Sequence, residues 1–252
     1  MHGDLSVPIR PRSGPDAATW TDALPRRRAQ LAAAWDLTLE APYTSRVIAC
    51  RRADGTPAVL KLSPDAHLIA AEADALALWA GTGVTPALLE RADDALLLER
   101  IEPGTRVLDG GVIPGAADVA ALVAPLHRRA PDGRFPALHE RLTVTFGLAT
   151  RRGLDPGLLE RGLAACLELA GAGAPATLLH GDLHGANVLL DGCGRLVAID
   201  PRPCVGDPAF DLVGWVLAGD GDPRERAEEL AAAAGLDAER LLAWTRATAV
   251  LS

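Results

Sequence analysis

Three oxygen-bearing side chains, Asp182, Asn187 and Asp200, stand in one stretch, Leu178–Asp200, which reads LLHGDLHGANVLLDGCGRLVAID. Two carboxylates and an amide in this order suit phosphoryl transfer. One carboxylate orients an attacking hydroxyl and takes its proton; a second carboxylate and an amide oxygen hold Mg²⁺ against the phosphate oxygens. The same residues also admit a plain structural role, with His180 and Asp182 capping a turn and Asp200 ending a strand. A lone aspartate at a strand end favours that role. The full set in order, on loop residues that make poor core, favours chemistry.

The elements around the set decide where it points. An apolar run, Ala176–Leu179, passes into the polar loop 180–187. A second run, Val188–Leu190, a glycine-rich turn at 191–194 and a third run, Leu196–Ile199, read as a β-hairpin. Asn187 opens the hairpin, Asp200 closes it, and Asp182 lies on the loop before it.

Upstream, Lys61 is the one lysine among 25 basic residues, and a compact ammonium there suggests a need for a point charge. Ser45–Arg51 and Pro57–Leu62 read as strands joined at Asp54-Gly55, a hairpin signal. Ala58–Leu62 alternates poorly, which predicts burial on both faces, and a lysine inside it needs a partner or loses its charge. The helix predicted over Asp65–Ala80 carries Glu72 within an apolar stripe of Leu68, Ile69, Leu76 and Trp79. Glu72 is either that partner or a solvated glutamate on a helix flank.

Thr85–Glu90 and Ala95–Arg100 read as further strands. From Thr105 the texture turns helical, over Ala116–Arg129, Pro156–Ala170, Arg224–Ala234 and Asp237–Val250, while Leu138–Ala149 reads either way. Met1–Pro15 is expected to be an irregular arm, and Pro25 is expected to open a helix running to Trp35. Asp207 and Asp211 read as caps, although an aspartate anchoring the loop backbone would look the same.

HGDLHGANVLL followed by AIDP resembles the aminoglycoside phosphotransferase family of small-molecule kinases. IDPRP and GDPAFDL resemble the branch of streptomycin 6-phosphotransferases and hydroxyurea phosphotransferases, and the likeness runs from about Trp20 to the last residues. It implies an α+β, two-lobed, protein-kinase-like fold. Residues 1–101 would form a β-rich nucleotide-binding lobe with a helical N-terminal extension. Residues 102–252 would form a larger, mostly helical lobe with the catalytic loop and substrate site. By this resemblance Asp182 is the catalytic base, and Asn187 and Asp200 are the Mg²⁺ ligands. Lys61 reaches the ATP phosphates and pairs with Glu72, and the backbone at Glu99 and Ile101 holds adenine. One departure stands out: the turn over the phosphates, Ala41–Arg46, has no glycine. Thr44 and Ser45 are expected to substitute there through amides and hydroxyls.

A chain of 252 residues suits one large domain or two lobes, and 49% hydrophobic content supplies a core. The net charge of −8 argues against nucleic acid as a partner. An acidic chain would accept a cationic substrate, although this charge is ordinary for a cytosolic enzyme. Cys50, Cys166, Cys193 and Cys204 form no C-x-x-C, so reduced thiols and a cytoplasmic location are expected. No signal-peptide core and no membrane-length apolar run is seen, and a monomer is expected.

The leading functional expectation is ATP-dependent transfer of the γ-phosphate to a hydroxyl of an aminoglycoside-type antibiotic, streptomycin-like and at the 6-hydroxyl, giving resistance. The alternatives are hydroxyurea or another small hydroxylated metabolite as acceptor, or a kinase-fold protein that only binds. The acceptor pocket is expected among the C-terminal helices and the loops Pro131–Thr150 and Asp220–Arg226, with Glu140 and Asp220 as acidic candidates. His180 is expected to brace the loop; His184 either braces it or approaches phosphate.

Overall fold

Five strands, β1 (Leu37–Pro42), β2 (Val47–Arg52), β3 (Pro57–Leu62), β4 (Leu88–Ala92) and β5 (Ala95–Glu99), form an antiparallel sheet. Their order is β1-β2-β3-β5-β4 in the computed structural model, which describes residues 16–111, 113–127, 133–173 and 176–251. The arm expected over Met1–Pro15 lies outside the described residues. Gly55 takes φ 85°, and the Asp54 carboxylate accepts the Thr56 N–H at 2.9 Å, which closes the β2–β3 hairpin as its sequence predicts.

Successive strand side chains point to opposite faces. Ala58, Leu60 and Leu62 of β3 and Leu97 of β5 meet Leu24 and Leu31 of helix α1 (Asp16–Ala34). Leu96 and Leu98 face the other way, against Ile69, Ala73 and Leu76 of α2 (Ala66–Leu78). Helices covering both faces explain why β3 and β5 read as continuous apolar runs. The same alternation turns Lys61 toward α2.

Pro25 lies inside α1 instead of opening a helix. It removes one backbone donor, but Leu24 and Leu31, two turns apart and both buried on the sheet, keep the helix in line. Asp65 caps α2 by accepting the N–H groups of His67 and Leu68, each at 3.1 Å.

The remaining strands are β6 (Pro103–Arg106), β7 (Thr177–Leu179), β8 (Val188–Asp191), β9 (Leu196–Ala198) and β10 (Cys204–Gly206). They form a β6-β8-β9 sheet and a β7-β10 pair. Helices α3 (Ala116–His127), α4 (Leu138–Thr150), α5 (Pro156–Gly171), α6 (Val213–Val216), α7 (Pro223–Ala234) and α8 (Ala238–Thr248) complete this half. Their core includes Leu122, Phe146, Leu179, Trp215 and Trp244.

The ambiguous stretch is a helix, α4. Leu138, Leu142, Phe146 and Ala149 are buried at helical spacing. The hydroxyls of Thr143, Thr145 and Thr150 donate to carbonyls one turn back, so these polar side chains are satisfied within the helix. Trp79, wholly buried just after α2, ties the two halves together. Its Nε1 donates to the Leu126 carbonyl at 3.2 Å, and its ring stacks on His180 with centroids 6.4 Å apart.

Candidate active site

The loop 180–187 leaves β7 and enters β8, and its backbone is held from behind by Asp211. One carboxylate oxygen accepts the His180 N–H and the other the Gly181 N–H, each at 2.8 Å. His127 Nε2 donates to the same carboxylate at 3.0 Å. Burial opposes the Asp211 charge, yet the His127 and backbone donors outweigh it and hold the carboxyl below its ordinary range. Asp211 thus anchors the loop. Asp207, by contrast, caps the short 3-10 turn Pro208–Leu212 by accepting the Ala209 N–H at 3.0 Å, and also takes the Trp244 Nε1–H at 2.6 Å.

Gly181 has φ 77°, and a Cβ there would stand 2.1 Å from the Arg202 carbonyl oxygen, so the turn requires glycine. His180 is buried and braces the loop. Its Nε2 donates to the Ile199 carbonyl at 3.0 Å, and burial pushes the imidazole pKa down. His184 caps the turn that follows, with Nδ1 accepting the Ala186 N–H at 3.3 Å.

The hairpin brings Asn187 and Asp200 side by side, since the Ile199 N–H donates to the Asn187 carbonyl at 2.9 Å. Asn187 Nδ2 donates to the Asp182 carbonyl at 2.9 Å and lies 3.4 Å from Asp182 Oδ2. With Nδ2 so committed, Oδ1 is directed to the opposite side of the amide. Asp200 has φ 57°, a left-handed conformation uncommon for a residue with a side chain.

Lys61 Nζ closes the set across 139 residues of sequence, 2.6 Å from Asp200 Oδ1 and 2.6 and 2.5 Å from the two Glu72 oxygens. Burial pushes the Glu72 carboxyl up against the pull of Lys61. Burial also opposes the Asp200 charge, but Lys61 and Arg202 hold that carboxyl below its usual range. Asp200 Oδ2 and Asn187 Oδ1 are hard oxygen donors and fit Mg²⁺, which takes few protein ligands and completes its octahedron with phosphate and water. Among the described residues no cluster of three or more His, Cys, Asp or Glu forms a ready-made metal cage.

A cleft beside Lys61 has apolar walls, Val59 and Leu98 from the sheet and Leu189 and Ile199 from the hairpin. Glu99, the last residue of β5, and Ile101, on the segment leading to β6, border it. The Glu99 N–H donates to the Ala87 carbonyl at 2.9 Å, and its carboxylate accepts the Ala87 N–H at 3.0 Å. Thr44 lines the cleft, but its Oγ1 already accepts the N–H groups of Arg46 and Val47, both at 3.1 Å. Ser45 is exposed outside the lining, and its carbonyl accepts from Arg28.

A second cavity of about 510 Å³ opens at Asp182, between α4, the loop, α6 and the end of α8. The expected stretch Pro131–Thr150 contributes Arg141, Leu142 and Thr145 to it, whereas Asp220–Arg226 contributes nothing. Glu140 instead closes its own helix, accepting the Ala137 N–H at 2.8 Å. Arg141, which sequence reasoning missed, donates from Nε to the Gly181 carbonyl at 2.9 Å, with Nη2 3.7 Å from Asp182 Oδ1. Burial lowers its pKa. The signal for it was its place one residue before Leu142, on the flank of the buried stripe of α4. A larger cavity, about 790 Å³, lies between α5 and α8, and no residue of the loop 180–187 lines it.

A family model described as aminoglycoside/hydroxyurea antibiotic resistance kinase matches residues 33–252. Hydroxyurea phosphotransferase of Kitasatospora aureofaciens is 36% identical over 242 residues, covering 90% of this chain and 71% of that protein. Streptomycin 6-kinase of Streptomyces glaucescens is 31% identical over 259 residues, covering 92% and 82%. Macrolide 2'-phosphotransferase MphH of Brachybacterium faecium shares the fold, with a TM-score of 0.63 at 19% identity over 91% of this chain and 90% of that one. The two-lobed, kinase-like architecture is the one the resemblance implied. No helix among the described residues is long and apolar enough to cross a membrane. The chain is a small-molecule kinase, and it belongs to the aminoglycoside/hydroxyurea antibiotic resistance kinase family.

Proposed function

We propose that the chain is an ATP- and Mg²⁺-dependent O-phosphotransferase that moves the γ-phosphate onto a hydroxyl of a small molecule seated beside Asp182. The observation that carries this is the Lys61 ammonium, shared by Glu72 and Asp200 at 2.5–2.6 Å at one end of an apolar cleft. It joins strand, helix and hairpin into one charged corner, and Asp182 opens from there onto a separate cavity.

In this reading residues 1–101 are the nucleotide lobe and 102–252 the catalytic and acceptor lobe. Adenine slots between the apolar walls near the backbone of Glu99 and Ile101. Lys61 neutralises phosphate charge, and Glu72 fixes its position. Asn187 and Asp200 would hold Mg²⁺, which when bound draws charge from the phosphate oxygens. Asp182 accepts a hydrogen bond from the acceptor hydroxyl, aims its oxygen in line and receives its proton. The loop gains its rigidity from Asp211, so little reorganisation is needed at the moment of transfer.

The leading acceptor from the sequence is a streptomycin-like antibiotic at its 6-hydroxyl, with hydroxyurea the other that relatives' names put forward. A monomer in the cytoplasm suits the four unpaired cysteines, of which Cys50, Cys166 and Cys204 are buried. A non-catalytic binding role is favoured by one observation, the self-closed turn at Thr44. Acceptor-dependent ADP release with ATP and Mg²⁺, across a panel of hydroxylated compounds, decides between the two. Release with at least one acceptor is expected, and silence across the panel supports the binding role.

A further inference from the structure

We infer that the acceptor of this site presents an oxygen acceptor group, a carbonyl or a carboxylate, to Arg141 and Arg152 beside the hydroxyl that Asp182 receives, and is not a polycation. This rests on the phosphotransferase reading above and replaces its streptomycin-like acceptor with one that carries no cluster of positive charge.

Among the described residues, the cavity at Asp182 is lined by two guanidinium groups, Arg141 and Arg152, and by a single carboxylate, Asp182 itself. At about 510 Å³ it is sized for a small molecule. Its apolar walls include Leu142, Phe210 and Leu217, which offer no charge to a ligand. The hydroxyls of Thr145 and Thr248 donate to carbonyls of their own helices at 3.0 and 2.9 Å, so their protons are spent.

Beside the His184 ring, the wall's permanently charged donors are the two arginines. Among the described residues Arg141 commits Nε alone, to the Gly181 carbonyl at 2.9 Å, and its Nη2 stands 3.7 Å from Asp182 Oδ1, beyond hydrogen-bond reach. Arg152 follows the end of α4 and is exposed at the cavity rim. Planar guanidinium forks match carbonyl and carboxylate oxygens.

A polycationic acceptor meets the opposite situation. Its charges would lie beside two guanidinium cations, and its one counter-charge among the described lining residues would be Asp182. Pairing with Asp182 there displaces the hydroxyl that the reaction needs. The net charge of −8 belongs to the whole chain and does not describe this cavity.

The test measures ADP release by the full chain with ATP, Mg²⁺ and three acceptors: hydroxyurea as a neutral carbonyl compound, glycerate as a hydroxy acid, and streptomycin as a guanidinium-bearing cation. At least one oxygen-acceptor compound is expected to exceed streptomycin in kcat/KM by about tenfold or more, and which of the two does so separates a neutral from an anionic ligand group. Arg152→Glu is expected to raise KM for the better of those two on the order of tenfold with a smaller change in kcat, to improve kcat/KM for streptomycin, and Arg152→Lys to recover most of the loss. Streptomycin used as well as or better than the other two, or a KM that Arg152→Glu leaves in place, overturns the charge inference and spares the phosphotransferase reading. No release with any acceptor overturns both.

Discussion

The two sides of the hairpin are built on different principles. On the proposed nucleotide side, Lys61, Glu72 and Asp200 interlock at 2.5–2.6 Å, with Glu72 almost wholly buried and the Asp200 side chain 46% exposed. Three elements meet at one ammonium, and each fixes the others. On the acceptor side, Asp182 is 40% exposed and its nearest cation, Arg141, stays 3.7 Å away. Its cavity is wide, and no side chain among the described residues is committed to Arg152. In the proposed reading the common chemistry is carried by an interlocked cluster built on the buried Lys61–Glu72 pair, and specificity by sparse groups on an open wall. A fixed charge pair out of water gains strength from the low dielectric, whereas a loose wall changes its ligand without disturbing the fold.

Variants on the two sides should separate these principles. The largest effect is expected for Asp182→Asn, which should lower acceptor-dependent ADP release by roughly 10²–10⁴-fold. Nucleotide affinity, read by titration of a fluorescent ATP analogue, should hold. Equal loss of both would erase the distinction between the sides.

Asp211→Ala should come next. It leaves the N–H groups of His180 and Gly181 without their acceptor, and loss of one partner in a buried ionic network costs roughly 3–5 kcal/mol. Urea unfolding measures it. A variant with full stability and no activity would mean that Asp211 acts in the chemistry instead.

Glu72→Gln keeps the shape but removes one of the two charges on Lys61. It should weaken nucleotide binding by about tenfold, the scale of one charge-assisted hydrogen bond, while KM for the acceptor stays near its original value. A shift in the acceptor constant as large as that for ATP would show that the sides are coupled.

The smallest effect concerns pH. His180 in the fold binds its proton less tightly than in the unfolded chain because it is buried. Its contribution is therefore complete above about pH 6.5, the unfolded value, and is lost as pH falls below it. Asp200 and Asp211 have depressed values, so their contributions persist above about pH 4 and fade below that, as pH drops through their folded values. Tm should fall by a few degrees between pH 7 and 5, and further at lower pH. A Tm that rises on acidification contradicts these assignments.

Much of the nucleotide side was legible in the sequence because its signals are local. Asp54-Gly55 announces a tight hairpin, the poor alternation of Ala58–Leu62 announces a doubly covered strand, and a lysine within it calls for a carboxylate. Glu72, inside an apolar stripe on the next helix, answers that call. The acceptor side was less legible. Glu140 looked available yet spends its carboxylate on its own helix terminus, while Arg141, beside it, drew no notice. Asp211 read as a cap because a carboxylate near a helix start looks the same whether it serves its own backbone or that of a distant loop. Pro25 was misplaced because burial on the sheet, which propensity does not register, carries α1 across it.

By itself the sequence determined which groups are present and which local turns hold them: the oxygen set of one hairpin, the lone lysine and the residues with their strand and helix periods. Local backbone sterics and hydrophobic spacing suffice for that. Only the tertiary structure decided that Lys61 reaches Asp200 across 139 residues, that Asp211 grips the loop from behind, and that the cavity at Asp182 is walled by arginines. Those outcomes depend on how helices pack against each other, and packing is set by the joint shape of many side chains far apart in the chain, which no single stretch encodes.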